Sequence, residues 1–409
     1  MRKCAILFIS LLLMPTAACA QDLSRDQVRF LNENSVPIAQ NTSEATHDWA
    51  AVIHQVKDKR LLLLGEFNHG SKEVFTVRND LIKALHSELG FDLILFESGV
   101  GEVGVIDMKK AHLSGRELTH GFFGPWRTSE FEALVQFTKE NNITIAGFDV
   151  QRTGNGFTQY LSAWLAEKGL NAIDFNDLEA RFVTIKQKLS NNKTNFDSVQ
   201  NDATMLAHDY QTLRSNLADV QMQKSEGFID KTLADRIAYL EYMLDFVEKK
   251  DWNERWFKRD DAMAKNVEWI LGQYPPDKKA IIIAHNFHIA RFNEKQEVMG
   301  EILANNDNLD MYIVGFFAGA GSFANNAGKE EQMVPAVSDG LDIKHIISSL
   351  GTGVSFIDVP CDTQIGSEWL FDDIIVNDTF IDLWGTNKMS LAKSFDGVIL
   401  LDKVSPPEK

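Results

Sequence analysis

An acid and an imidazole three residues apart, Glu66 and His69, follow directly on a run of four leucines, Leu61 to Leu64, and on Gly65. A histidine is the side chain whose ordinary basicity suits proton removal near neutral pH, and a carboxylate beside it fixes the tautomer. Further along, Glu97, Asp149 and the pair His285 and His288 each follow a short apolar run in the same way. Arg78 lies within the apolar stripe of the segment after His69, four residues beyond Val74 and three before Leu81. A guanidinium on a core-facing stripe is costly unless a carboxylate meets it, and Glu97 or Glu66 is the expected partner. Several patterns are missing. There is no Gly-x-Ser-x-Gly elbow, no Gly-rich phosphate loop and no His-Glu-x-x-His, and Cys361 has no motif around it.

These residues need elements that bring them together. An unbroken apolar run reads as a strand buried on both faces, as in a parallel sheet. The runs at 61–64, 93–96, 144–148, 280–284, 311–316, 354–357 and 398–401 alternate with helical patterns. In open sheets of that kind ligands sit beyond the carboxyl ends of the strands, where these acids and histidines fall. Ser71 to Leu89 has helical spacing, with Gly90 as terminator. Residues 121–128 form a glycine- and aromatic-rich loop leading into a helix through Glu132, Leu134 and Phe137. A further helix starts near Arg259, carries Met263, Val267 and Ile270 on one side, and stops at Gly272 before Pro275 and Pro276. Residues from about 173 to 250 contain no proline and have helical spacing, which predicts a pair or trio of long helices inserted into the frame. A coiled-coil dimerisation arm is the alternative, which the irregular apolar repeat places second, and the oligomeric state stays open. The expected fold class is α/β, a predominantly parallel sheet with flanking helices and a long helical insertion. The loops at 318–328 and 361–388 carry no readable pattern.

The spaced blocks carry a resemblance. Gly65-Glu66-x-x-His69-Gly70-Ser71, Arg78 nine residues after the histidine, and Glu97 after the next strand resemble the opening signature of the erythromycin esterase family. Trp126-Arg127-Thr128 followed by acids, Gly147-Phe148-Asp149-Val150-Gln151, and the helix from Arg259 to Trp269 are similar to that family as well. The resemblance runs from about Leu61 to beyond His288. It implies hydrolysis of a macrolide lactone, an antibiotic-resistance activity, without a metal or other cofactor. An exported chain departs from an intracellular resistance enzyme, which leaves other esters open as substrates.

An ester-cleaving enzyme without a side-chain nucleophile must activate water directly. His69 is then the expected general base, with Glu66 or Glu97 orienting it and Arg78 holding those carboxylates. His285 and His288 are expected to stabilise the tetrahedral intermediate or protonate the leaving alkoxide. Asp149 and Arg259 fall to support or substrate binding. Two other readings stand beside this one. Three histidines and several carboxylates on one edge would also suit a Zn²⁺- or Mn²⁺-dependent hydrolase. A non-catalytic periplasmic protein that binds a bulky ligand, with the helical insertion as lid, is the third.

Composition sets the setting. Arg2 and Lys3, an apolar stretch from Ala5 to Met14, and Ala18-Cys19-Ala20 form an export signal over residues 1–20, leaving 21–409 as the working domain. The apolar stretch is too short to span a bilayer, and no later run is long enough. Loss of the two signal cations takes the formal charge from −17 to −19, which argues against nucleic acid or an anionic membrane surface as partner. Cys4 and Cys19 fall in the signal, so Cys361 alone remains and no disulfide framework is expected. The expected site is periplasmic or secreted, and the expected partner is a small-molecule ester. Protein exported by a bacterial host should therefore begin at Gln21 by intact mass; an uncleaved or lipidated N-terminus would contradict that.

Overall fold

The computed structural model describes residues 23–38, 40–41, 46–170, 174–191, 193–306, 308–377 and 388–409. The expected export signal lies outside the described residues. Among them, one sheet is built from β1 (Ser35–Pro37), β2 (Leu61–Leu64), β3 (Leu93–Gly99), β4 (Thr144–Asp149), β5 (Ala280–Ile283), β6 (Met311–Ala324), β7 (Glu330–Gln332), β8 (Val354–Asp358) and β9 (Gly397–Val404). Its order is β1-β8-β9-β6-β2-β5-β3-β4, with β7 paired to the far end of β6. From β9 across to β4 every neighbouring pair is parallel. Towards the other edge, β8 pairs antiparallel with both β9 and the edge strand β1. The fold is thus α/β with a predominantly parallel sheet.

Parallel central strands must be covered on both faces, and the leucine run shows how. Leu62 and Leu64 pack into one core and Leu61 and Leu63 into the other, all without exposure. Register then decides the chemistry. Leu64 pairs with Ile283, Ile283 with Phe96, and Phe96 with Gly147. The carboxyl ends of β2, β5, β3 and β4 therefore lie level, and Glu66, His285, Glu97 and Asp149 emerge together.

The segment after β2 folds as α1 (Lys72–Leu89), capped by Gly90 at φ 72°, a left-handed turn that glycine adopts without strain. Its buried face includes Val74, Val77, Arg78, Leu81 and Leu85, as the stripe requires. After β3 comes α2 (Val100–Lys109), and the helix α3 (Ser129–Glu140) precedes β4.

Between β4 and β5 stands a helical layer of α4 (Gly156–Glu167), α5 (Phe175–Leu189), α6 (Gln200–Leu217) and α7 (Phe228–Lys249), followed by α8 (Trp252–Leu271). It begins earlier than the 173 suggested by the sequence. Phe157, Leu161, Trp164 and Leu165 of α4, at helical spacing, join the core of α5 to α7. A buried ion pair ties this layer to the frame: Arg236 of α7 lies 2.7 Å from Glu102 of α2 and 3.1 Å from Glu179 of α5. The segment 318–328, unreadable in sequence, is the extension of β6 to Ala324 and its turn into β7. In the segment 361–388, residues 378–387 lie outside the described residues, and the rest carries a short helix, Glu368–Phe371, and a two-residue strand, Ile374–Ile375.

Candidate active site

Glu66 is wholly buried and accepts three hydrogen bonds. His69 Nδ1 is 2.6 Å from its Oε1, Trp126 Nε1 donates to the same oxygen at 2.8 Å, and Arg78 Nη1 donates to Oε2 at 2.8 Å. Burial pushes the Glu66 carboxyl up, but the Arg78 charge and the His69 contact outweigh it and hold the group below the usual carboxylate range. An ionised Glu66 can only accept, so His69 carries its proton on Nδ1 and its basic lone pair on Nε2. The sequence left Arg78 between two partners; it meets Glu66, not Glu97. The remaining face of its guanidinium is covered by Phe75 and Trp126, with ring centroids at 5.4 and 5.8 Å.

The loop that carries His69 is pinned at both ends. A Cβ on Gly65 would lie 1.9 Å from Asn286 Oδ1, and one on Gly70 would lie 1.9 Å from the Ala324 carbonyl. Inside the loop, Asn68 Oδ1 accepts from the Gly70 amide and the Ser71 hydroxyl. His69 retains 13% of its side-chain surface against none for Glu66, so the imidazole is the member of the pair open to water.

A second constellation gathers on Arg259, at the buried face of α8. Its Nη2 donates to Glu97 Oε1 at 2.8 Å and Asp149 Oδ2 at 2.7 Å, its Nε reaches Asp149 Oδ1 at 3.2 Å, and its Nη1 lies 2.9 Å from His288 Nε2. His288 Nδ1 is in turn 2.7 Å from Asp260 Oδ1. The network assigns Nδ1–H to His288, with Nε2 accepting from the arginine. Burial pushes Glu97 up, yet the neighbouring His288 and the Arg259 charge prevail and hold it below the usual carboxylate range. Burial opposes the Arg259 charge too, and Asp149 and Glu97 override it.

His285 joins the two halves, but not as a donor to substrate. Its amide donates to Glu97 Oε2 at 3.0 Å, its Nε2 contacts the Phe67 carbonyl at 2.8 Å, and its Nδ1 accepts from the Phe287 amide at 3.2 Å. A carbonyl only accepts, so Nε2 carries the proton and both nitrogens are engaged. Burial and the neighbouring His69 push its pKa down to about 3, so it stays neutral. The expectation that His285 stabilises the intermediate or protonates the alkoxide is therefore corrected: it braces the His69 loop, its ring centroid 5.3 Å from that of His69.

The eight residues singled out in the sequence thus lie in two linked clusters at one sheet edge. Trp126 and Asp260 also belong there and were missed as site residues. Asp260 was findable, because it falls on the apolar stripe of Met263, Val267 and Ile270, by the argument applied to Arg78. Among the described residues no three His, Cys, Asp or Glu side chains are placed to hold one metal ion. A groove of about 770 Å³ lined by His47, Lys72, Asp80, Glu130, Lys403 and Glu408 contains none of the side chains of the two clusters; it holds a separate histidine–carboxylate contact, His47 Nδ1 to Asp80 Oδ2 at 2.8 Å.

Two substitutions separate clamp from base. Arg78→Ala strands Glu66 in a buried site and should cost about 3–5 kcal/mol of stability. His69→Ala leaves Glu66 with Arg78 and Trp126, so its melting temperature should stay near wild type. Melting curves of the two variants decide it, and an Arg78→Ala protein as stable as wild type would refute the clamp.

Residues 86–404 match the family profile described as erythromycin esterase. The protein YbfO of Bacillus subtilis (strain 168) is 24% identical over 388 residues, 86% of this chain and 85% of that protein. Erythromycin esterase type II of Escherichia coli is 23% identical, covering 93% of this chain and 98% of that one. A crystal structure of a Bacillus cereus protein has a TM-score of 0.72 at 20% identity, over 93% of this chain and 98% of that one. A mutant erythromycin esterase, EreC, in its open conformation has a TM-score of 0.61 at 15% identity, over 88% and 96%. The two structures share the fold. On the profile match this chain belongs to the erythromycin esterase family, and that membership supports a hydrolase.

Proposed function

We propose that this chain hydrolyses a carboxylic ester or macrolide lactone with water deprotonated by His69 and without a side-chain nucleophile. The observation that carries this reading is the 2.6 Å contact between His69 Nδ1 and Glu66, a carboxylate fixed by Arg78 and Trp126. Water gives its proton to His69 Nε2 and the hydroxide attacks the ester carbonyl. Glu66 stabilises the resulting imidazolium without itself taking a proton. On collapse of the tetrahedral intermediate, His69 Nε2–H returns the proton to the leaving alkoxide, which closes the cycle.

His288 is a positioning residue in this reading. Asp260 backs its Nδ1 as Glu66 backs that of His69, and Glu97 Oε1 lies 3.5 Å from its Nε2. With Nδ1 on Asp260 and Nε2 accepting from Arg259, both ring nitrogens are engaged, so His288 holds the arginine in place rather than donating to the oxyanion or the departing oxygen. Arg259 keeps Glu97 and Asp149 in place around it. The E. coli relative bears the name erythromycin esterase, which makes macrolides the first substrates to try. Export to the periplasm or beyond remains part of the proposal.

The test is incubation of purified protein with a panel of macrolides and simple esters, following the gain of one water by mass. On any ester cleaved, His69→Ala should lower kcat/KM by about 10²–10⁴-fold. Turnover should survive exhaustive dialysis against chelator. Loss on chelation with recovery on added Zn²⁺ or Mn²⁺ would replace this mechanism with a metal-dependent one.

A further inference from the structure

The helical layer beside Asp149 and Arg259 presents two cations that the proposed hydrolysis does not use. Arg255 lies one turn before Arg259 on α8 and is half-buried. Its guanidinium stands over three rings, 4.7 Å from the centroid of Phe246, 5.1 Å from Trp252 and 5.3 Å from Trp256. Among the described residues it has no carboxylate partner and no side-chain hydrogen bond, yet its nitrogens are not sealed from solvent. Lys186, half-buried on α5, stands 5.6 Å from the Tyr239 ring centroid and makes one long hydrogen bond, 3.4 Å, to the Arg152 carbonyl. It too meets no carboxylate among the described residues.

The two cations lie along one face of α7: Lys186 stands over Tyr239, and Arg255 stands over Phe246, seven residues further along that helix. Tyr239 packs edge-on against Tyr242 at 5.2 Å. The hydroxyls of both feel the charges of Arg255, Arg259 and Asp149, while the Lys186 amine feels that of Asp149. Asp149 is the carboxylate gripped by Arg259, so this surface adjoins the second constellation of the site.

Carboxylates are not scarce in this chain, with 58 acidic residues against 41 basic ones. Other half-buried arginines have found one: Arg152 lies 3.0 Å from Glu179 and Arg214 lies 2.8 Å from Asp230. A partly desolvated cation without a counter-charge is unfavourable. Burial lowers the proton affinity of both Lys186 and Arg255, a penalty that an arriving anion would offset. A guanidinium stacked on aromatic rings also keeps its N–H edge directed and pre-organised for a planar oxyanion.

We propose that Arg255 and Lys186 form an anion-recognition subsite, so that the preferred ester carries a free carboxylate remote from its scissile carbonyl. The assignment of that carbonyl rests on the hydrolytic reading above; the subsite itself does not. The test compares para-nitrophenyl hydrogen glutarate, which ends in a carboxylate, with para-nitrophenyl valerate, neutral and of equal chain length. Wild type should show the lower KM on the glutarate ester. Lys186→Met and Arg255→Met should each raise that KM about tenfold, the scale of one charged hydrogen bond. Turnover at saturation and the valerate KM should change less than about twofold, and Arg255→Lys should recover part of the loss. Equal KM values in wild type, or variants that keep the preference, overturn the subsite. If wild type cleaves neither ester, the hydrolytic reading loses support, and titration with glutarate decides the subsite alone. A saturable change in tryptophan fluorescence, lost in the double variant, sustains it; no change, or one that persists in the double variant, overturns it.

Discussion

One buried carboxylate organises this molecule. Glu66 has no exposed surface and receives donors from three separate parts of the chain: the loop after β2, the face of α1, and the short turn that holds Trp126. A charge in that position is tolerable only with its hydrogen bonds complete. Satisfying Glu66 therefore docks α1 and the aromatic turn against the end of β2, and the same bonds set the orientation of His69. Stability and the proposed chemistry depend on a single set of contacts.

The second constellation repeats the device with the charges reversed. Here a buried arginine, Arg259, is the hub, and Glu97, Asp149 and His288 are its spokes. His285 links the two hubs through its amide to Glu97 and its ring to the Phe67 carbonyl. The level register of β2, β5, β3 and β4 makes this economical, because each strand delivers its polar residue at the same height. The helical layer bounds this edge and adds aromatic and cationic side chains beyond it. Its tie to the frame, Arg236 between Glu102 and Glu179, is a third buried charge cluster built on the same rule.

Much of this was legible in the sequence because its signals are local. Leu61–Leu64 could only be a buried strand, and a polar residue at the end of each such run had to meet the others at the carboxyl edge. Arg78 on an apolar stripe announced a buried ion pair. What local signals could not decide was pairing across the fold. Nothing near Arg78 distinguishes Glu66 from Glu97, and only the packing of α1 against β2 does so. The engagement of His285 by two backbone groups was invisible for the same reason, since both partners are main-chain atoms whose placement depends on tertiary structure. Trp126 was read as part of an aromatic loop, with no sign that its indole N–H would complete Glu66. The extension of β6 to Ala324 was hidden by its glycines and mixed exposure, which break the apolar run that marks the other strands.

The central claim is that Glu66 holds His69 in the Nδ1–H tautomer, with the basic nitrogen at Nε2. Long-range proton–nitrogen correlation spectra of protein labelled with ¹⁵N at histidine read this directly, with His69→Ala identifying the resonances. The account predicts a protonated Nδ1 and an unprotonated Nε2 for His69 at neutral pH, with that preference lost in Glu66→Gln. A wild-type His69 with its proton on Nε2, or a tautomer unaffected by Glu66→Gln, would contradict it.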